Sequence, residues 1–157
     1  MKFVFKTFGK NHEPYVQAGI KEFSARIERY YPLQWQIIAP PKNAASLQEE
    51  ELKRREAEIL LPQLHKDDFL ITLDEKGKSL SSVQLATFLE QRALESVKTI
   101  VFLIGGAYGI DDSVRQRSNL ILSFSAFTFP HQLVRLILAE QVYRACTIIR
   151  KEKYHHQ

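Results

Sequence analysis

His131, Arg135, Glu140 and Arg144 stand in a stretch that is otherwise apolar, where Leu133, Val134, Leu136, Ile137, Leu138, Val142, Ile148 and Ile149 leave no wide polar face. A helix of that composition is buried or pressed against a partner, and ionisable groups in such surroundings need partners or a purpose. Histidine can take or give a proton near neutrality. Arginine's planar fork suits a developing oxyanion or a phosphate. At about 100° per residue, His131 and Arg135 share a face, whereas Arg144 projects from the opposite side beside Glu140. Glu140 and Arg144 equally suit an i,i+4 ion pair. One copy of this helix cannot present His131, Arg135 and Arg144 to a single substrate. Two copies across a dimer interface can, and the apolar surround favours such an interface independently. The chain closes on Tyr154-His155, a ring and a second possible base.

Three loops are equipped to hold a ligand: Leu73-Asp-Glu-Lys-Gly77, Ile104-Gly-Gly-Ala-Tyr-Gly109 and Ser123-Phe-Ser-Ala-Phe-Thr-Phe129. The pair Gly105-Gly106 lets backbone approach a ligand, or simply makes a tight turn. Its spacing matches neither a dinucleotide fingerprint nor a phosphate loop, and Asp111-Asp112 following at once would repel a pyrophosphate. The five histidines do not cluster with Cys or carboxylates at ligand spacing, and His155-His156 alone is too few, so no metal is expected. A nucleophile elbow, G-x-S-x-G, does not occur.

The elements that must position these groups alternate along the chain. Strands are expected at Met1–Phe8, Leu33–Ile38, Asp68–Leu73, Thr99–Ile104 and Leu120–Ser123. Helices are expected at Pro14–Tyr30, from a Ser46/Glu49 capping box to Pro62, at Ser81–Ser96, Asp111–Ser118 and Pro130–Lys151. Asp74–Lys78 reads as a polar turn. Thr99–Ile104 is apolar without alternation, as in a strand covered on both faces. The pattern predicts a single α/β domain, a parallel sheet with helices on both faces, whose ligands collect beyond the carboxyl ends of the strands.

With 45% hydrophobic and 25% charged residues in 157, the chain has the makings of one soluble domain. No apolar run is long enough to span a membrane and the start lacks the features of a signal peptide, so a cytoplasmic protein is expected. Cys146 has no intrachain partner and reads as a small buried hydrophobe. Residues 1–110 carry 15 Lys+Arg against 14 Asp+Glu and residues 111–157 carry 7 against 4, so the excess positive charge sits in the C-terminal third. That is a modest signal for a polyanionic partner.

Leu73-Asp-x-x-Gly-Lys78, Ile104-Gly-Gly-x-x-Gly109, Leu122-Ser-Phe-Ser, Thr128-Phe-Pro-His-Gln-Leu-Val-Arg135, Ala139-Glu-Gln-x-Tyr-Arg144 and the terminal Tyr154-His155 resemble the large-subunit ribosomal RNA methyltransferase H family of the SPOUT superfamily, over the full length of the chain. The resemblance implies a C-terminal trefoil knot, formed by about residues 100–157. It implies S-adenosylmethionine as cofactor, held by Leu73, Gly105, Phe124, Ser125, Ala126, Phe127, Thr128 and Phe129. It implies action on 23S ribosomal RNA in assembled ribosomes, with methylation of a pseudouridine at N3, while the homodimer is expected from the apolar helix at 130–151 itself. The segment Phe124-Ser-Ala-Phe127 departs mildly from relatives, which matters little if its contacts run through backbone.

The residues suit that chemistry. A sulfonium brings its own electrophilic methyl, so the protein must bind, orient and manage charge. N3 of a uracil-type ring is an imide and must lose its proton to a base, or be stabilised by cations as it does. His131 and His155 are the possible bases, Arg135 and Arg144 the cations, and Tyr154 a stacking or hydrogen-bonding partner. Sequence does not apportion these roles. Another uridine-type base as target, or a non-catalytic ribosome-binding factor on the same fold, remain alternatives, though a binding module has no need of the glycine pair and the His/Arg set.

Overall fold

The computed structural model describes residues 1–155. Five parallel strands form one sheet: β1 (Lys2–Phe8), β2 (Leu33–Ile38), β3 (Phe69–Ser79), β4 (Thr99–Ile104) and β5 (Leu120–Ser123), in the order β2-β1-β4-β3-β5. Five α-helices connect and follow them: α1 (Pro14–Ile27), α2 (Glu49–Leu60), α3 (Ser82–Leu94), α4 (Asp112–Arg117) and α5 (His131–Ile149).

Alternation along the central strands sorts the core into two layers. Phe3, Phe5, Ile100 and Phe102 pack on one face with Ile27 of α1, Leu85 and Leu89 of α3, and Leu138 and Val142 of α5. Val4, Val101 and Leu103 pack on the other with Ala57 and Leu60 of α2 and Val114 of α4. The expected α/β sheet, covered on both faces, is therefore the observed architecture. Every strand ends at the same edge, as parallel pairing requires. No helix among the described residues is long and apolar enough to cross a membrane.

Three local expectations give way. The Ser46/Glu49 capping box does not form: Ser46 closes a 3-10 turn, its hydroxyl donating to the Asn43 carbonyl at 2.9 Å, and α2 starts two residues later on Gln48 without a side-chain cap. Glu49, Glu50 and Glu51 in the first turn supply negative charge to the helix dipole instead. A capping box is found at Ser81 and Gln84, at the head of α3. The turn expected at 74–78 is an excursion within β3. Leu73 and Lys78 both stand opposite Leu122, and Ser79 then pairs with Ser123. Helix α5 ends at Ile149 in a Schellman arrangement: Lys151 is left-handed (φ 58°) and the Glu152 N–H donates to the Thr147 carbonyl at 2.9 Å. That reversal sends the tail back along the helix.

The return of β3 to β5 sets where β5 releases the loop at 124–129. It depends on Gly77, where a Cβ would lie 2.7 Å from the Ile121 carbonyl oxygen and 2.8 Å from the Leu122 carbonyl carbon. Backbone cannot yield as a side chain does. Gly77→Ala should therefore part β3 from β5 and cost about 1–3 kcal/mol, read from urea unfolding of the two proteins; equal stability would show that the register is set elsewhere.

Candidate functional site

The carboxyl ends of β3, β4 and β5 open into a cleft of about 430 Å³, within the usual range for small-ligand sites. Leu73 and Asp74–Lys76 line one side, Ile104–Gly109 the floor, and Phe124, Ser125, Phe127, Thr128 and Phe129 the other side. His131 and Val134, from the first turn of α5, complete the wall. Of the residues expected around a cofactor, Leu73, Gly105, Phe124, Ser125, Phe127, Thr128 and Phe129 thus come together, while Ala126 lies in the same loop but not on the cleft surface.

Backbone geometry shapes both loops. Gly109, at φ 88°, closes a turn in which its N–H donates to the Gly106 carbonyl at 3.1 Å. A Cβ on Gly105 would meet the Ile110 Cγ2 at 2.7 Å and the Gly109 carbonyl at 3.1 Å. Glycine is needed there because the loop closes on itself, not only because a ligand approaches. In the other loop Ser123 Oγ donates to the Ser125 carbonyl and the Phe127 N–H donates to Ser125 Oγ, each at 3.0 Å. Pro130 then caps α5, its carbonyl accepting from Leu133 and Val134.

Charged residues beyond the expected set also line the cleft. Arg115 of α4 donates to Asp74 Oδ2 at 2.7 Å, joining the excursion within β3 to the far side of the floor. Asp74 Oδ1 accepts from the Lys76 N–H at 2.8 Å, bending the excursion. Thr128 Oγ1 approaches Glu75 Oε2 at 3.4 Å across the opening. Nothing in the sequence paired positions 74 and 115; the contact follows from β3 and β5 being neighbours with α4 between β4 and β5.

The residues expected to do chemistry are placed in three separate settings. His131 faces the cleft. Burial, then the nearby Arg135 charge, push its pKa below the ordinary histidine value, with the Gly105 backbone opposing. Its ring is therefore held neutral at neutral pH, as a proton acceptor must be. Arg135, one turn on, meets a different setting from the expected one of a cation facing substrate. It is 1% exposed, and donates to the Lys10 carbonyl at 2.8 Å and the Phe8 carbonyl at 3.2 Å, with His12 Nδ1 at 3.4 Å. Gly9, at φ 112°, lets the chain turn tightly around the guanidinium. Arg135 thus braces the end of β1 against α5.

Arg144 and Tyr154 form a third group on the far part of α5. Arg144 donates to Glu140 Oε1 at 2.5 Å, Tyr154 Oη donates to the same oxygen at 3.2 Å, and the guanidinium lies 4.7 Å from the Tyr154 ring centroid. The i,i+4 ion pair is thus present, and the tail folds back onto it. His155 is half-buried, with Nδ1 lacking a partner among the described residues; His156 lies outside them. None of Arg144, Tyr154 and His155 lines the cleft of the same chain.

Comparison with known proteins places this geometry among methyltransferases. Residues 1–155 match the family described as "Predicted SPOUT methyltransferase". The ribosomal RNA large subunit methyltransferase H of Trichlorobacter lovleyi is 45% identical over 156 residues, spanning 99% of this chain and 100% of that protein. The protein of the same name from Parabacteroides distasonis is 39% identical over 157 residues, covering both chains completely. A solved structure, a probable methylase family protein from Haemophilus influenzae, aligns over 99% of this chain and 70% of its own with a TM-score of 0.54 at 10% identity, a likeness of fold.

The brace and the base can be separated experimentally. Arg135→Met leaves the Phe8 and Lys10 carbonyls without their donors and should cost about 2–4 kcal/mol of stability. It also removes a positive charge beside His131, so the His131 ring should titrate at higher pH than in the parent. Ring-proton NMR through pH 4–8 on the folded variant checks this; an unmoved His131 midpoint would mean that burial alone sets it.

Proposed function

Because the chain belongs to the SPOUT methyltransferase family, we propose that it transfers a methyl group from S-adenosylmethionine to N3 of a pseudouridine in 23S ribosomal RNA, on the assembled ribosome in the cytoplasm. The observation that carries this reading is His131, held neutral, on the wall of a cleft whose other walls are the three strand-end loops.

The cleft residues fit the cofactor. Its volume suits a nucleoside-sized ligand. Leu73, Gly105 and the 124–129 loop offer apolar surface and backbone polar groups, with Asp74 and Arg115 already satisfying each other. When bound, S-adenosylmethionine supplies an electrophilic methyl on a sulfonium. His131 takes the imide proton from N3, which leaves a lone pair to attack. Phe124 and Phe129, half-buried, keep water from one wall of the cleft, and Phe127 stands exposed at its rim. Arg135 does not touch the substrate in this reading; it fixes the first turn of α5 and keeps His131 unprotonated.

Arg144, Tyr154 and His155 enter through a second copy of the chain. Leu133, Ile137 and Ile148 on α5 are only half-covered in one chain, although no residue of the helix is fully exposed. A homodimer burying that surface brings one subunit's Arg144–Tyr154 group toward its partner's cleft. Arg144 then stabilises the negative charge that develops on the base, and Tyr154 packs against its ring. A single domain with its C-terminal third threaded as a trefoil knot belongs to the same reading, supported by the family match. The net charge of +4 doubles in the dimer, a modest attraction that leaves target choice to ribosome shape.

Labelled S-adenosylmethionine incubated with ribosomes lacking the modification should mark one pseudouridine of 23S RNA; label elsewhere would redirect the reading to another uridine-type base. His131→Asn should lower transfer by about 10²–10⁴-fold with cofactor affinity kept. A chain cut after Lys151 should likewise bind cofactor but transfer poorly. Mixing those two inactive proteins should restore part of the activity, because one of the two sites in a mixed dimer has both an intact His131 and an intact partner tail. No recovery in a demonstrated mixed dimer would refute the shared site.

A further inference from the structure

Behind the Gly105–Gly109 turn, on the side away from the cleft, lies a carboxyl group that the reaction above does not use. Glu56 of α2 is 7% exposed. Neither of its oxygens has a hydrogen-bond donor among the described residues, and Gly106 is packed so close that a Cβ there would collide with both. The surrounding cavity, about 10 Å³, has room for a single water, and its apolar walls include Phe8, Leu60, Leu103 and Ile110. Lys53 and Asp111 also border this cavity, yet the Glu56 carboxyl bonds to neither and packs instead against the Gly106 backbone.

We propose that Glu56 is a positioning residue of the cofactor cleft: in its neutral form the carboxyl seats the Gly105–Gly109 turn, and its ionisation displaces that turn and weakens cofactor binding. This rests on the reading of the cleft as the S-adenosylmethionine site.

The physics follows from what can move. An ionised carboxylate demands water or donors, and the cavity supplies room for about one water. Strands β1 and β4 on one side and α2 and α4 on the others are packed core. The turn is closed across its mouth by the Gly106–Gly109 pairing and carries no core side chain, so it is the wall that yields. Burial pushes Glu56 up to about 7, and no neighbouring charge contributes to that shift. Lys53 on α2 is paired with Glu50, and Asp111 at the head of α4 accepts from Ser113. Arg54 and Asp112 lie farther out, beside these two. The neutral form therefore dominates below pH 7 and the turn is seated there. The effect is lost as pH rises through about 7.

Two measurements test this on the full-length protein. Calorimetry of S-adenosylmethionine binding at pH 6.0 and 8.5 should show wild-type affinity falling by about tenfold or more, the ceiling being about 30-fold if ionised Glu56 abolishes binding. Glu56→Gln, neutral at every pH and of the same shape, should bind tightly at both. His131 and the ligand's own amino group titrate equally in both proteins, so the difference between them isolates Glu56. Without ligand, the Gly106 and Gly109 amide resonances should show a titration with a midpoint near 7 in the wild type that is absent from Glu56→Gln, where only the lower-pH His131 transition remains. Parallel pH dependence of affinity in the two proteins, or flat turn resonances in the wild type, overturns the proposal. Wild-type protein that binds no S-adenosylmethionine at either pH, yet shows the titrating turn, overturns the cofactor reading and leaves the coupling of Glu56 to the turn standing.

Discussion

All five strands run the same way, and most of what is functional here descends from that constraint. Parallel neighbours cannot be joined by hairpins. Each connection must return over a face, which puts helices on both sides and the functional loops together at the carboxyl edge. The order β2-β1-β4-β3-β5 makes β3 the neighbour of both β4 and β5, so three loops far apart in sequence enclose one cleft. Seven residues, 124–130, separate the end of β5 from the start of α5, and the helix's first turn has nowhere to stand but at that edge. His131 is at the cleft because the sheet is parallel.

Position alone does not fix an imidazole. Arg135, one turn along, buries its guanidinium in the carbonyls that end β1. Removing a charge from water is costly unless donors and acceptors match; here two main-chain oxygens and a histidine ring accept from the terminal nitrogens, while Nε has no partner among the described residues. The return is rigidity between the first strand of the fold and its last helix, plus a positive potential that disfavours protonation of His131. One side chain thus braces the turn that carries His131 and adds to the lowering of its pKa that burial begins. Glu56 is the buried acid on the other face of the sheet, packed against Gly106 as Arg135 is packed against Gly9.

The outline of this fold was legible in the sequence because its signals are local. Thr99–Ile104 reads as a strand covered on both faces, and Phe102 and Leu103 are indeed buried on opposite sides. Pro130 marks the start of α5 to within a residue. The failures have one cause, competition that a local pattern cannot see. Ser46 and Glu49 have capping-box spacing, yet Leu47 and Gln48 are extended and Ser46 is taken up by its own turn. Asp74–Gly77 has turn composition, but β5 recaptures the chain at Lys78. The loops of the cleft were legible as glycine- and aromatic-rich strand ends. Arg115 and Glu56 were not, since a lone arginine or glutamate on a charged helix looks like a solvated one until the sheet places it.

His131 and Arg144 project in opposed directions, and the structure keeps them apart, the first on the cleft and the second bound up with Glu140 and Tyr154. Were Arg144 only a surface charge, its pairing with Glu140 would suffice and the tail would gain little by folding over it. Yet a Schellman reversal with a lysine in the left-handed region, a conformation costing about 1 kcal/mol outside glycine, returns the chain along the helix. The returning tail lays Tyr154 on the guanidinium and brings Glu152 to Tyr30. Strain accepted to assemble a polar group beside half-covered apolar surface argues that the group faces something. In the proposed dimer a second copy of α5 would supply the apolar cover and, in the same step, the cleft that lacks these side chains.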